Sequence, residues 1–219
     1  MTRPLLQLAI DVQTLTEAER LLEDVYPYFD IAEVGTPLIL EEGMAALEAL
    51  KARRPDRLYL ADTKIADAGF LEADGAFRRG ADIVTVLGVA DNRTIEGALK
   101  AASEHSGKVM IDLIHVTNRV MRAKALDALG VHYLCLHTAY DVQSTGVDPL
   151  ADLHAVRQAV RCSLAIAGGL TIDTVGDAAA TGADVVVVGG GIHTQPDRKN
   201  AARAIVEKLE KEAPDVRTR

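Results

Sequence analysis

Short apolar runs alternate with stretches of helical spacing from one end of the chain to the other. The runs are LLQLAID (5–11), DIAEVG (30–35), RLYLAD (57–62), DIVTVLG (82–88), KVMIDLI (108–114), HYLCLH (132–137), SLAIAGG (163–169) and DVVVVGG (184–190). They are rich in Val, Ile and Leu, as parallel strands buried on both faces are. Between them, apolar residues recur every three to four positions. In the first such stretch Leu15, Ala18, Leu21, Leu22 and Val25 mark one face, and Thr14 or Thr16 can cap it. Strand-ending positions fall 22 to 30 residues apart, the length of one strand, one helix and two short loops. Gly80, Gly130 and Gly182 each stand between a helical stretch and a strand, 50 and 52 residues apart. Glycine there turns the chain cheaply out of a helix. Eight βα units predict an α/β protein with one domain, a (β/α)8 TIM barrel over residues 1–213. Residues 214–219 read as a loose tail, and an open, doubly wound sheet is the competing architecture.

Composition narrows the class. Of 219 residues, 48% are hydrophobic and 26% charged, the balance of a globular chain with a sizeable core. A net charge of −8 lacks the basic excess of a general nucleic-acid binder, and three Phe, five Tyr and no Trp leave little for base stacking. No run approaches the roughly 20 apolar residues of a membrane span. Leu5–Ile10 is too short and too polar for a signal peptide. Cys135 and Cys162 both lie in apolar segments, as isolated buried thiols in a reducing cytoplasm do.

The polar residues gather at one end of the strands. Asp11, Glu33, Asp62, Asp112 and His137 close five of the runs, and Gly168-Gly169 and Gly189-Gly190-Gly191 close the last two. In a βα barrel these ends converge on one mouth. The densest chemistry is Asp62-Thr63-Lys64-Ile65-Ala66-Asp67. Strand alternation would point Asp62 and Lys64 the same way. Flanked by Asp62 and Asp67, Lys64 should stay charged and act as an electrostatic stabiliser or proton donor rather than form a Schiff base. Glu33 and Asp62 offer hard oxygen ligands of the kind that hold Mg²⁺ with substrate oxygens and water, and the Cys/His pairs of a zinc site are missing. The glycine clusters suit a phosphate held by backbone N–H groups. By residue type His137 is the best general base.

Leu8-Ala9-Ile10-Asp11, Glu33-Val34-Gly35-Thr36-Pro37, the segment from Ala61 to Gly69 and Gly80-Ala81-Asp82-Ile83-Val84-Thr85-Val86 together resemble the orotidine 5′-monophosphate decarboxylase suprafamily, over residues 5–208. Glu33 stands where the metal-free members carry a lysine, so the chain is similar to the metal-dependent branch. Asp112, His137-Thr138-Ala139-Tyr140-Asp141 and Val188-Gly189-Gly190-Gly191-Ile192 are similar to the synthases of that branch and less so to its 3-keto-L-gulonate-6-phosphate decarboxylases. The resemblance implies a homodimer, Mg²⁺ on Glu33 and Asp62, and a sugar phosphate handled through an enediolate. The implied reaction is aldol addition of formaldehyde to D-ribulose 5-phosphate. It further implies that Asp11 and Asp112 orient hydroxyls or Lys64, and that Asp67 reaches the neighbouring subunit's site. His115 stands where a smaller or apolar residue is expected, which would change the pocket. Decarboxylation on the same site and a non-catalytic sugar-phosphate-binding barrel are the alternatives.

Overall fold

The apolar runs become β1 (Leu5–Ile10), β2 (Ile31–Val34), β3 (Leu58–Ile65), β4 (Ile83–Leu87), β5 (Lys108–Asp112), β6 (Tyr133–His137), β7 (Ser163–Ala167) and β8 (Val185–Val188). In the computed structural model, which describes residues 3–145, 148 and 150–212, they pair in parallel and in sequence order, and β8 closes on β1. Closure excludes the open sheet. The tail at 214–219 lies outside the described residues.

Alternation along each strand sorts the side chains. Ala9, Ile31, Leu60, Ile83, Met110, Cys135, Ala165 and Val187 fill the barrel interior, while Leu6, Leu8 and Ile10 face the surrounding helices. Each fully buried aliphatic side chain contributes roughly 1.5–3 kcal/mol. The first helix, α1 (Leu15–Val25), buries Ala18, Leu21, Leu22 and Val25, and Thr14 caps it by accepting the Glu17 amide.

One helix per strand was too simple. Two helices follow β2, namely α2 (Thr36–Glu42) and α3 (Ala45–Arg53). Single helices follow β3, β4 and β5: α4 (Gly69–Arg78), α5 (Asn92–His105) and α6 (Arg119–Ala128). After β6 come α7 (Tyr140–Gln143) and α8 (Leu153–Ala159), after β7 comes α9 (Val175–Thr181), and after β8 come α10 (Gly190–His193) and α11 (Arg198–Lys211). Gly80, Gly130 and Gly182 all adopt φ between 82° and 100°, the left-handed turn out of a helix.

β3 departs from the expected strand. It runs past Asp62 to Ile65, and its register against β4 slips: Ala61 pairs with Val84, yet Ile65 pairs with Val86. Asp62, Thr63 and Lys64 thus stand opposite the single residue Thr85, and Lys64 takes φ +45°. Asp62 and Lys64 do point the same way, but on a bulged rather than a regular strand.

Candidate active site

The strand ends enclose a cavity of about 640 Å³ at the carboxyl mouth of the barrel. Asp11, Glu33, Asp62, Lys64, Asp112 and His137 all line it, as do Gly168, Gly169 and Gly189 to Gly191. Asp67 does not: it is exposed, and its Oδ1 accepts the Ala68 amide at 2.7 Å. The second carboxylate near Lys64 is therefore Asp112, 3.9 Å away, and not its sequence neighbour Asp67.

Lys64 is ion-paired with Asp62. Burial alone would lower the ammonium's pKa, but Asp62, Asp112 and Glu33 outweigh it and raise it above the ordinary value. That keeps the amine protonated, against Schiff-base chemistry. Asp62 is buried, which disfavours its charge. The Lys64 ammonium and the hydroxyls of Thr36 and Thr85, each 2.8 Å from a carboxylate oxygen, bring its pKa below the usual value.

Glu33 has no such partner set. Its Oε2 accepts a hydrogen bond from Gln7 Nε2 at 2.7 Å, yet burial, then the charges of Asp62 and Asp11, push its pKa well above the usual value. Asp11 is raised too, by its enclosure in the mouth and by Asp62. With Asp112, these carboxylates share a mouth with a single ammonium, and a divalent cation would relieve the surplus of negative charge. Gln7 Oε1, buried beside Glu33, has no hydrogen-bond partner among the described residues. Hard oxygens suit Mg²⁺. Among the described residues no three His, Cys, Asp or Glu side chains form a ready-made cage, so a cation here would complete its shell with substrate and water.

His137 Nδ1 lies 2.9 Å from Asp112 Oδ2. A carboxylate accepts, so Nδ1 carries the proton and Nε2 the lone pair. Asp112 Oδ1 accepts the Ile114 amide at 2.9 Å. On the adjacent strand, just past Ala167, which pairs with His137, Gly168 and Gly169 take φ of 102° and 71°. A Cβ at Gly168 would run into the Thr138 carbonyl oxygen, whereas one at Gly190 would meet nothing within 4 Å. His115 is exposed at the rim with φ +59° and lines the same cavity.

Gln7, Thr36 and Thr85 were not among the residues expected from the sequence. Gln7 and Thr85 are nevertheless polar residues at inward positions of apolar strands, two before Ala9 and two after Ile83, and that alternation is the signal.

A parallel barrel whose mouth joins a lysine–carboxylate pair, a carboxylate–histidine pair and glycine-rich loops defines an enzyme-type site for a small anionic substrate. The chain belongs to the orotidine 5′-phosphate decarboxylase / HUMPS family, whose model matches residues 4–205. It is 41% identical over 198 residues to a 3-hexulose-6-phosphate synthase of Bacillus subtilis, covering 90% of this chain and 94% of that one. Its structure is similar to the crystal structure of 3-hexulose-6-phosphate synthase from Salmonella typhimurium, with TM-score 0.93, 40% identity and coverage of 95% and 99%. The 3-keto-L-gulonate-6-phosphate decarboxylase from Vibrio cholerae is similar at TM-score 0.84 and 28% identity, with 97% and 100% covered.

Proposed function

We propose that the protein is an aldehyde-lyase of the 3-hexulose-6-phosphate synthase type, which adds formaldehyde to D-ribulose 5-phosphate to give D-arabino-hex-3-ulose 6-phosphate. The observation that carries this reading is the Asp62–Lys64 pair facing the Asp112–His137 pair across one mouth, in a chain 41% identical to a synthase.

Removing a C1 proton from the ketose leaves an enediolate that is unstable in water. His137 Nε2 takes that proton, because Nδ1–H is committed to Asp112. The Lys64 ammonium supplies a fixed positive charge beside the developing oxyanion and needs no reorganisation to do so. C1 then attacks the formaldehyde carbon, a carbon–carbon bond forms, and the imidazolium returns its proton to the former aldehyde oxygen. Asp11, at the rim, accepts hydrogen bonds from sugar hydroxyls. Backbone amides near Gly169, Gly190 and Gly191 hold the phosphate. Mg²⁺ on Glu33 and Asp62 supplies Lewis-acid stabilisation of the enediolate when bound.

The working form in this reading is a homodimer in which Asp67 enters the partner's mouth. Asp67 is exposed just ahead of α4, where Phe70 and Leu71 are exposed apolar residues, and Leu40 on α2 is exposed as well. Such a face fits a self-association surface. No helix among the described residues is long and apolar enough to cross a membrane, and Cys135 and Cys162 are both unpaired. A cytoplasmic location fits the free thiols.

The second reading, decarboxylation of 3-keto-L-gulonate 6-phosphate, draws on the 28% identity to the Vibrio cholerae enzyme. Turnover of ribulose 5-phosphate plus formaldehyde is compared with CO₂ release from the keto-acid phosphate, each with and without Mg²⁺. Faster decarboxylation overturns the first reading. Binding of ribulose 5-phosphate without Mg²⁺-dependent exchange of its C1 proton leaves only a binding protein.

A further inference from the structure

All three residues of the β3 bulge hang on one residue of β4. Thr85 Oγ1 donates to Asp62 Oδ1 at 2.8 Å and accepts the Lys64 amide at 2.8 Å, while the Thr85 carbonyl accepts Thr63 Oγ1 at 3.0 Å. The register leaves no other β4 residue opposite Asp62, Thr63 and Lys64. Lys64 needs such a tether, since its φ of +45° is a left-handed conformation that a non-glycine residue adopts only when its surroundings hold it there. A hydroxyl has one proton and lone pairs to spare, so Thr85 can donate to the carboxylate and accept the amide at once. It is 4% exposed, so neither bond is lost to bulk water.

We infer that Thr85 is a positioning residue for the reaction: its single hydroxyl holds Asp62 and the backbone of Lys64 in the one arrangement that lets both face the substrate. It acts through those two groups. Valine has nearly the same shape and would fill the same space, but it would leave Asp62 Oδ1 without its donor and the Lys64 amide without its acceptor. With the tether gone, the bulge is free to shift, which moves Lys64 relative to Asp62 and the mouth. The inference rests on the reading of Asp62 and Lys64 given above.

Thr85→Val, Thr85→Ser and Lys64→Ala are compared with the parent protein by steady-state kinetics, thermal melting and Mn²⁺ binding followed by electron paramagnetic resonance. Thr85→Val should lower kcat about 100-fold, the scale of an ångström-sized misplacement, with little change in KM for ribulose 5-phosphate. It should also weaken Mn²⁺ binding about tenfold through Asp62. Thr85→Ser, which keeps the hydroxyl, should recover most of both losses. If Thr85→Val does not fold, Thr85→Ala carries the same test without any demand on volume. The inference is overturned if a folded Thr85→Val or Thr85→Ala protein keeps parental kcat, or if Thr85→Ser loses as much as Thr85→Val. Full turnover in Lys64→Ala would instead remove the reading of the site on which the inference stands.

Discussion

Asp112 divides its two carboxylate oxygens between His137 and the backbone, with Oδ2 holding His137 Nδ1 at 2.9 Å and Oδ1 holding the Ile114 amide at 2.9 Å. The first bond sets the imidazole tautomer, and the second ties β5 to the loop that carries His115. Asp112 Oδ2 also lies 3.9 Å from Lys64 Nζ, so one carboxylate links the imidazole to the ammonium. Asp112→Asn replaces an oxygen by a donor amide and removes the negative charge that stabilises an imidazolium. Turnover should fall by about 100-fold or more, as when a carboxylate orienting a catalytic histidine is made an amide. A variant with an unchanged melting temperature and near-parental kcat would show that His137 does not need this partner.

If Glu33 holds Mg²⁺ as proposed, it couples metal binding to pH. Its carboxyl is raised by folding, so while protonated it favours the folded state. That contribution is complete below the unfolded value near about 4.3 and disappears as pH rises through the raised folded value. The metal-free barrel should therefore lose stability over that interval. Mg²⁺, which needs the ionised form, should restore more at high pH than at low. The gain in melting temperature on adding Mg²⁺ to chelator-treated protein should be larger near about pH 8 than near about pH 5.5. Glu33→Gln should raise the metal-free melting temperature at the higher pH, and it should abolish the Mg²⁺ effect. An equal Mg²⁺ gain at both pH values would count against Glu33 as a ligand.

The proposed homodimer, in which Asp67, exposed and outside its own chain's cavity, serves the partner's mouth, predicts shared sites. Asp67→Asn and Lys64→Ala proteins should each be nearly inactive alone. Mixing them through reversible subunit exchange should recover activity, because a heterodimer then contains one site with both groups intact. Absence of recovery in verified heterodimers would mean that Asp67 serves no partner.

Gly168 and Gly190 separate folding from binding. Gly168 has φ +102° and abuts the Thr138 carbonyl oxygen, so Gly168→Ala should destabilise the barrel by about 1–3 kcal/mol. A methyl at Gly190 meets no protein atom within 4 Å and enters the cavity among the glycine loops proposed to hold the phosphate. Gly190→Ala should leave the melting temperature unchanged and raise KM for ribulose 5-phosphate about tenfold, through lost contact with the phosphate. A parental KM would place the phosphate elsewhere in the mouth.

Local periodicity was enough for the barrel. Val- and Ile-rich runs such as DVVVVGG and KVMIDLI have few other ways to bury themselves, and glycines at 80, 130 and 182 mark where helices must end. The residues that crowd the mouth were legible for the same reason: chemistry at the end of an apolar strand has few structural explanations. Spacing along the chain also made Asp67 look like a partner for Lys64, and Asp112, 48 positions from Lys64, took that place.

The bulge at Lys64, the partition of Asp112 between His137 and Ile114, and the partners that Gln7 and Thr85 bond left no comparable trace. Each depends on which strand lies beside which and at what register. Parallel neighbours in a barrel are brought together by closure rather than by sequence proximity. A one-residue pattern cannot record a hydrogen bond between Thr85 and Asp62, 23 positions apart.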